Sequence, residues 1–208
     1  MNKSLHVLLA TAVVPLVLVP AVAGAAPTRS IEDLKTAYSG ETTAHSKYLA
    51  YAAKAEAEGY AYVATLFRAA SEAESIHARN HKRALAELGV KNPVPGKYTG
   101  TPGTTAENLR DAIKGETYEK DTMYPRMIAD AQAENAQGAL QSFQYALAAE
   151  KQHAALYTAA LKSLNTRTPV TRFYVCTVCG ATFKGSAPAV CPVCGTPREK
   201  FLVIGKRA

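Results

Sequence analysis

Hydrophobic positions recur at helical spacing through most of the chain beyond residue 26, in four separate runs. The first starts at Ser30-Ile31-Glu32-Asp33, with Ser30 as N-cap and acids in the first turn, and continues to Gly59. Its inward stripe is Leu34, Ala37, Glu41, Ala44, Tyr48 and Tyr51. The second runs from about Tyr60 to Gly89, with Val63, Phe67, Ala70, Glu74, His77 and Leu85 on one face and a glycine stop. Residues 90–103 hold Pro93, Pro95, Pro102 and three glycines, so they form a connection long enough to cross a bundle end to end. Thr104-Thr105-Ala106-Glu107 is a capping-box signature that opens a third helix through Leu109, Ile113, Glu116, Met123 and Met127. After a turn near Asn135 to Gly138, the fourth continues to about Leu164 through Phe143, Ala146, Glu150, His153 and Tyr157. The pattern predicts two helical hairpins joined by one long crossover.

The inward stripe of every helix carries a glutamate. An unpaired ionised carboxylate in an apolar interior costs tens of kcal/mol by a Born estimate, so positive charge must sit among them. Two helices add a histidine three residues later, as Glu74-x-x-His77 and Glu150-x-x-His153, which places both side chains on one helix face. The other two contribute Glu41 and Glu116. One Glu from each of two helices and Glu-x-x-His from each of the others is the di-iron or di-manganese carboxylate pattern of ferritin-like bundles. Glu41 precedes Glu74 by 33 residues and Glu116 precedes Glu150 by 34, as two hairpins facing each other across a pseudo-twofold axis require. On this reading each hairpin supplies the ligands of one metal. Glu119, one turn after Glu116, breaks the symmetry and brings the set to five glutamates and two histidines, whose negative charge roughly balances two ferrous ions. Oxygen-rich ligands with one imidazole per metal favour iron over copper. His45 and His81 lie one turn from Glu41 and His77 and are expected to hydrogen-bond to neighbours rather than ligate. Tyr48 and Tyr124 lie within two turns of Glu41 and Glu119, as hydrogen-bond donors or as core. Pro125 removes a ladder bond from the third helix and predicts a kink beside the metals.

The C-terminal segment holds Cys176-x-x-Cys179-Gly180 and Cys191-x-x-Cys194-Gly195, a strong metal signal. The glycines allow the chain to turn so that backbone N–H groups face the sulfurs. Mononuclear iron, structural zinc and two disulfides all fit four cysteines at this spacing. A segment of this size cannot bury enough apolar surface to fold unaided, so metal contributes to its stability, around a small core of Tyr174, Phe183 and Phe201.

The N-terminus reads differently. Lys3 precedes an apolar run from Leu5 to Val19 and the small residues Ala21 to Ala26, which together make a signal peptide over 1–25 with cleavage after Ala23 or Ala25. An uncleaved membrane anchor is the alternative; Pro15, Pro20 and the small-residue end speak against it. Removal of the leader leaves no stable membrane insertion and places the protein in the bacterial periplasm or cell envelope. The formal charge of +7 comes from Lys and Arg scattered among acids, without an aromatic-interleaved basic stripe, which argues against nucleic acid and leaves room for an acidic electron carrier.

Taken together, Gly40-Glu41, Glu74-x-x-His77, Gly115-Glu116-x-Tyr118-Glu119, Tyr124-Pro125, Glu150-x-x-His153 and the paired Cys-x-x-Cys-Gly units resemble the rubrerythrins across nearly the whole mature chain. The resemblance implies an all-α ferritin-like four-helix bundle with one long crossover at 26–165, a linker at 166–172 and a small rubredoxin-like metal-knuckle domain at 173–208. It implies a di-iron centre on Glu41, Glu74, His77, Glu116, Glu119, Glu150 and His153, and one iron on Cys176, Cys179, Cys191 and Cys194, with zinc as the other occupant. Reduction of hydrogen peroxide to water follows, with electrons relayed through the cysteine-bound iron, and with exchange of Glu119 for His77 between oxidation states. Glu119, His77, Tyr48 and Tyr124 are then the residues expected to act in turnover. Family members commonly pair head to tail, so that the cysteine-bound iron of one chain lies near the di-iron site of another.

Two departures stand out. The aromatic usual after the first cysteine pair is Ala181 here, which predicts a more exposed iron. Export separates the protein from cytosolic reductants and requires a different electron donor protein. Ferroxidase activity with iron sequestration, or a zinc-ribbon interaction module on a structural metal bundle, are the competing functions; an electron inlet at the C-terminus argues against storage.

Overall fold

The computed structural model describes residues 26–166 and 168–205. The leader read at 1–25 lies outside the described residues. Among them, no helix is long and apolar enough to cross a membrane.

The bundle is built from α1 (Thr28–Ala57), α2 (Ala61–Glu87), α3 (Thr105–Tyr118), α4 (Tyr124–Ala133) and α5 (Gln137–Lys162), with a π-helical turn at Glu119–Met123 joining α3 to α4. Counting α3, the π turn and α4 as one arm, these are the four helices of the sequence pattern. The predicted stripes face inward. Leu34, Ala37, Tyr48 and Tyr51 of α1, Val63, Phe67, Ala70 and Leu85 of α2, Leu109 and Met127 of the third arm, and Phe143, Ala146 and Tyr157 of α5 are all buried. Ala44, Ile113 and Met123 are partly buried against them.

Two helix starts are held from a distance. Thr104 forms the expected capping box with Glu107, and Glu58, at the end of α1, accepts hydrogen bonds from the N–H (2.8 Å) and hydroxyl (2.6 Å) of Thr105. Ser30 is not the N-cap expected from the sequence. It lies inside α1, buried, and its N–H (2.8 Å) and hydroxyl (2.7 Å) donate to Glu134 at the end of α4, as does the N–H of Arg29 (3.1 Å). Each hairpin thus caps the first helix of the other. Ser30 and Thr105 occupy matching places, each eleven residues before its glutamate, Glu41 or Glu116.

Beside Pro125, where the sequence predicts a kink, the third arm carries a π turn. In an uninterrupted α-helix Pro125 would orphan a carbonyl and clash with the preceding turn. Instead the chain widens into the π turn, and Tyr124 N–H bonds the carbonyl of Glu119. A π turn is a one-residue insertion into an α-helix, often found at functional sites. It accounts for the spacing of 34 residues from Glu116 to Glu150 against 33 from Glu41 to Glu74. The hairpin turns then match again at Gly59 (φ +83°) and Asn135 (φ +56°).

The crossover runs along α1, where Gly96 N–H donates to Thr42 Oγ1 (2.7 Å) and Tyr98 N–H to Ser46 Oγ (2.9 Å). A Cβ at Gly96 would stand 2.1 Å from Thr43 Oγ1 and 2.3 Å from the Ser39 carbonyl, so only glycine fits there.

The C-terminal unit is a three-stranded antiparallel sheet of order β2-β1-β3, from β1 (Phe173–Cys176), β2 (Thr182–Lys184) and β3 (Phe201–Ile204). Its expected core is only part of the packing. Phe201 is buried and packs on Phe183, with ring centroids 5.8 Å apart. Phe173 and Val175, alternate residues on one face of β1, are fully buried and join the bundle core, with Phe173 5.9 Å from the Tyr62 ring. The small domain is thereby docked on the bundle through shared apolar surface.

Glu134→Ala is expected to destabilise the protein by about 1 kcal/mol, the usual worth of a helix N-cap. Burial alone would raise the Glu134 carboxyl, but hydrogen bonds from Ser30 and Arg29 outweigh it and leave the group below the ordinary carboxylate range. A depressed folded pKa gives stability that is present above the unfolded value and lost as pH falls through the folded one. The gap in urea midpoint between parent and variant should therefore be full at neutral pH and close as pH drops below about 4.

Candidate metal centres

Helical spacing brings Glu41 from α1, Glu74 and His77 from α2, Glu116 from α3 and Glu150 and His153 from α5 to the bundle axis, where each is buried. Among the described residues their ligand atoms form two overlapping groups. Glu41, Glu74, His77 and Glu150 make one; Glu74, Glu116, Glu150 and His153 make the other; and within each the atoms lie within 4.8 Å of one another. Glu74 and Glu150 belong to both, so the hairpins do not supply one metal each as the sequence alone implied. Each hairpin lends a carboxylate that can bridge to the other's site. The Nδ1 nitrogens face inward: that of His77 lies 2.9 Å from Glu74 and 3.0 Å from Glu150, and that of His153 2.8 Å from Glu150 and 3.3 Å from Glu74.

Glu119 stands beside these groups and in neither, partly buried on the π turn. Its counterpart on α1, three residues after Glu41, is Ala44, so the extra carboxylate is the departure from pseudo-symmetry that the sequence indicated.

The tyrosines cross between hairpins. Tyr48 of α1 donates to Glu116 (2.5 Å), and Tyr124 of α4 donates to Glu41. Burial, reinforced by Glu116 for Tyr48 and by Glu41 for Tyr124, raises both phenols well above their ordinary pKa, so they stay protonated donors. The Tyr124 hydroxyl, its proton given to Glu41, accepts from His81 Nε2 (3.1 Å), His81 Nδ1 accepts from Ser142 (2.7 Å), and His45 Nδ1 donates to the Ser71 carbonyl (2.8 Å). Both histidines are held by neighbours outside the ligand groups, as expected.

The electrostatics require cations. Burial pushes Glu74 up against the pull of His153, and burial with the Glu74 charge pushes Glu150 up to about 8. Burial and the surrounding carboxylates raise Glu119 well above the usual range. Burial opposes charge on His77 and His153, yet the carboxylates around them outweigh it and raise both. Glu41 Oε2, both Glu74 oxygens, Glu116 Oε2, Glu150 Oε1 and both His77 nitrogens are buried without a hydrogen-bond partner. Orphaned donors converging in pairs fit two divalent ions, and oxygen ligands with one imidazole apiece fit iron or manganese.

The four cysteine sulfurs also lie within 4.8 Å of one another. The Cys176–Cys194 and Cys179–Cys191 sulfurs are 3.4 and 3.5 Å apart, far beyond the roughly 2.05 Å of a disulfide. The turns are alike: Gly180 and Gly195, at φ +78° and +75°, donate their N–H groups to the Cys176 and Cys191 carbonyls, both at 2.9 Å. The Cys179 thiol and the amides of Cys179 and Val178 hold Cys176 down to about 4, while the bond to Cys176 and burial raise Cys179, as expected for thiols that share a proton until a metal displaces it. The exposure expected from Ala181 is not found. Ala181, Cys176 and Cys179 are fully buried, and Tyr145 of α5 packs against this cluster; Cys194 alone of the four is partly exposed.

Sequence reasoning did not find the contacts that join the two centres. Asn80 Nδ2 donates to the Val178 carbonyl (2.8 Å), Thr182 N–H donates to Gln152 Oε1 (2.7 Å), and His153 Nε2 lies 3.1 Å from Thr182 Oγ1. Gly180 faces His77 so closely that a Cβ there would stand 2.3 Å from its Nε2. The first cysteine turn and the start of β2 thus rest on the two candidate ligand histidines of the same chain. A signal existed only in position: Asn80 lies three residues after His77, and Gln152 lies inside the Glu150-x-x-His153 motif.

The Rubrerythrin family model matches residues 32–161, and a model described as the rubrerythrin rubredoxin-like domain matches residues 174–202. Rubrerythrin-2 of Clostridium acetobutylicum is 37% identical over 171 residues, covering 81% of this chain and 92% of that protein. Nigerythrin of Nitratidesulfovibrio vulgaris is 36% identical, covering 83% and 85%. A solved structure of nigerythrin in its fully reduced, all-ferrous state superposes with a TM-score of 0.79 at 35% identity, covering 84% of this chain and 86% of that one. With both halves matched and both ligand clusters in place, this chain belongs to the rubrerythrin family, whose iron sites are the buried carboxylate–histidine pair and the four cysteines.

Proposed function

We propose that the protein is a peroxidase that reduces hydrogen peroxide to water, receiving its electrons through the cysteine-bound iron. The observation that carries this reading is the seating of Gly180 on His77, which packs the four-cysteine turn directly against a candidate ligand of the two-metal site. Storage of iron needs no such inlet. Bound in these sites, the paired irons supply the two electrons that, with two protons, convert one peroxide to two waters, and the cysteine-bound iron replaces them singly.

The chain's own residues supply position and protons. Tyr48 and Tyr124 hold Glu116 and Glu41 through their hydroxyls. Glu119, raised by burial and its four neighbouring carboxylates, is the one partly exposed carboxyl of the site and stands on the π turn where protons can reach it from solvent. His77 Nε2 has no hydrogen bond, so no outer polar partner fixes its ring; His77 and Glu119 are the exchanging pair of the proposal. In a head-to-tail homodimer the same contacts would be made in trans, each chain lending its four-cysteine domain to its partner. The leader reading adds that the protein is exported to the cell envelope, so its reductant is an electron-carrier protein of that compartment.

Stopped-flow mixing of the diferrous protein should show reoxidation by peroxide much faster than by dioxygen; equal rates would move the assignment to ferroxidase. Glu119→Ala should retain bound iron and lower peroxide turnover by about 100-fold, within the range for losing a general acid; unchanged turnover would reject its role. The iron-loaded protein should display ferric-thiolate absorption from the four-cysteine site. Tightly held zinc there, with those bands absent, would remove the electron path.

A further inference from the structure

The two ligand histidines are pseudo-symmetric in sequence yet meet different surroundings on their outer side. His77 Nε2 faces the bare backbone of Gly180 and has no partner. His153 Nε2 faces Thr182 Oγ1 at 3.1 Å. The Thr182 hydroxyl has its own proton committed, because it donates to the Gly180 carbonyl at 3.0 Å. What it offers His153 is therefore a lone pair, and the contact is an N–H donated by the ring. That fixes the tautomer with hydrogen on Nε2 and the lone pair of Nδ1 directed at Glu74, Glu116 and Glu150, where a metal binds. Thr182 is fixed in turn: its backbone N–H donates to Gln152, the neighbour of His153 on α5, and its side chain is 3% exposed.

We propose that Thr182 is a positioning residue for the bundle's metal site, holding His153 in the ligating tautomer from the four-cysteine domain while His77 is left unheld. The small domain thus contributes structure to the carboxylate site as well as electrons, and the connection runs from the Cys179–Gly180 turn through one hydroxyl to one imidazole. Partners of this kind on a metal-bound histidine are worth about 10- to 100-fold in metal affinity.

The inference rests on the paired-metal reading of the bundle and not on peroxide chemistry, so its test needs no turnover. Full-length protein is titrated with Co(II), and the exchangeable imidazole N–H resonances are followed by paramagnetic NMR in the parent, Thr182→Val, Thr182→Ser and Asn80→Ala. The parent should show one ring N–H protected from solvent exchange. In Thr182→Val that resonance should exchange at least about tenfold faster and cobalt affinity at the bundle should fall about tenfold, with Thr182→Ser restoring both. Asn80→Ala loosens the same docking surface without touching His153 and should leave the resonance protected. The proposal is overturned if Thr182→Val leaves exchange and affinity as in the parent, or if Asn80→Ala moves them equally, since docking alone would then explain both. A parent protein that takes up no pair of ions at the bundle overturns the paired-metal reading, and this inference with it.

Discussion

Four glutamates that cannot all be charged at once without cations dictate the interior of this bundle. Burying a single ionised carboxylate costs tens of kcal/mol by an idealised estimate, while a whole domain is stable by about 5–15 kcal/mol. Glu41, Glu74, Glu116 and Glu150 nevertheless share one dry interior with their oxygens in reach of one another. Nearly every polar side chain lining that interior is accounted for by this load. Tyr48 and Tyr124 each hold an oxygen from the opposite hairpin, and His81, itself held by Ser142, meets the Tyr124 hydroxyl. The oxygens of these glutamates still unpartnered after that converge on the two ligand groups.

Pseudo-twofold symmetry is the means by which the chain assembles this set, and its failures mark where the two halves do different work. Capping carboxylates, hairpin turns, ligand pairs and tyrosines all match across the axis. The exceptions are the π turn, Glu119 against Ala44, and the outer neighbours of the histidines. Under the ligand exchange proposed above, all three bear on which iron site holds the movable ligand. Glu119 and the unheld His77 sit on one side of that division, and His153 with its threonine sits on the other.

Much of this was legible in the sequence because helical periodicity is local. Six ligands lie on apolar stripes at regular spacing, and the Thr104–Glu107 box announces its helix within four residues. Ser30 misled for the same reason in reverse. A serine before two acids is a good local cap, but Glu134, 104 residues away, supplies the actual partner. The difference of one residue between the hairpin spacings was visible beside Pro125, and it signified an inserted residue where a kink was the simpler expectation. Sharing of Glu74 and Glu150 between metals, and the docking through Asn80, Gln152 and Thr182, depend on how distant surfaces meet. No local pattern encodes them.

The burial of Phe173 and Val175 in the bundle core bears on how such a protein can be taken apart. A redox module tethered by a flexible linker could be exchanged for another by recombination at the linker alone. Here the first strand of the module is also a wall of its neighbour, so a graft that kept the cysteines and changed these two residues would leave the bundle with an open apolar face. Replacing one half therefore requires repacking the other, and the two domains are interchangeable only as a single unit.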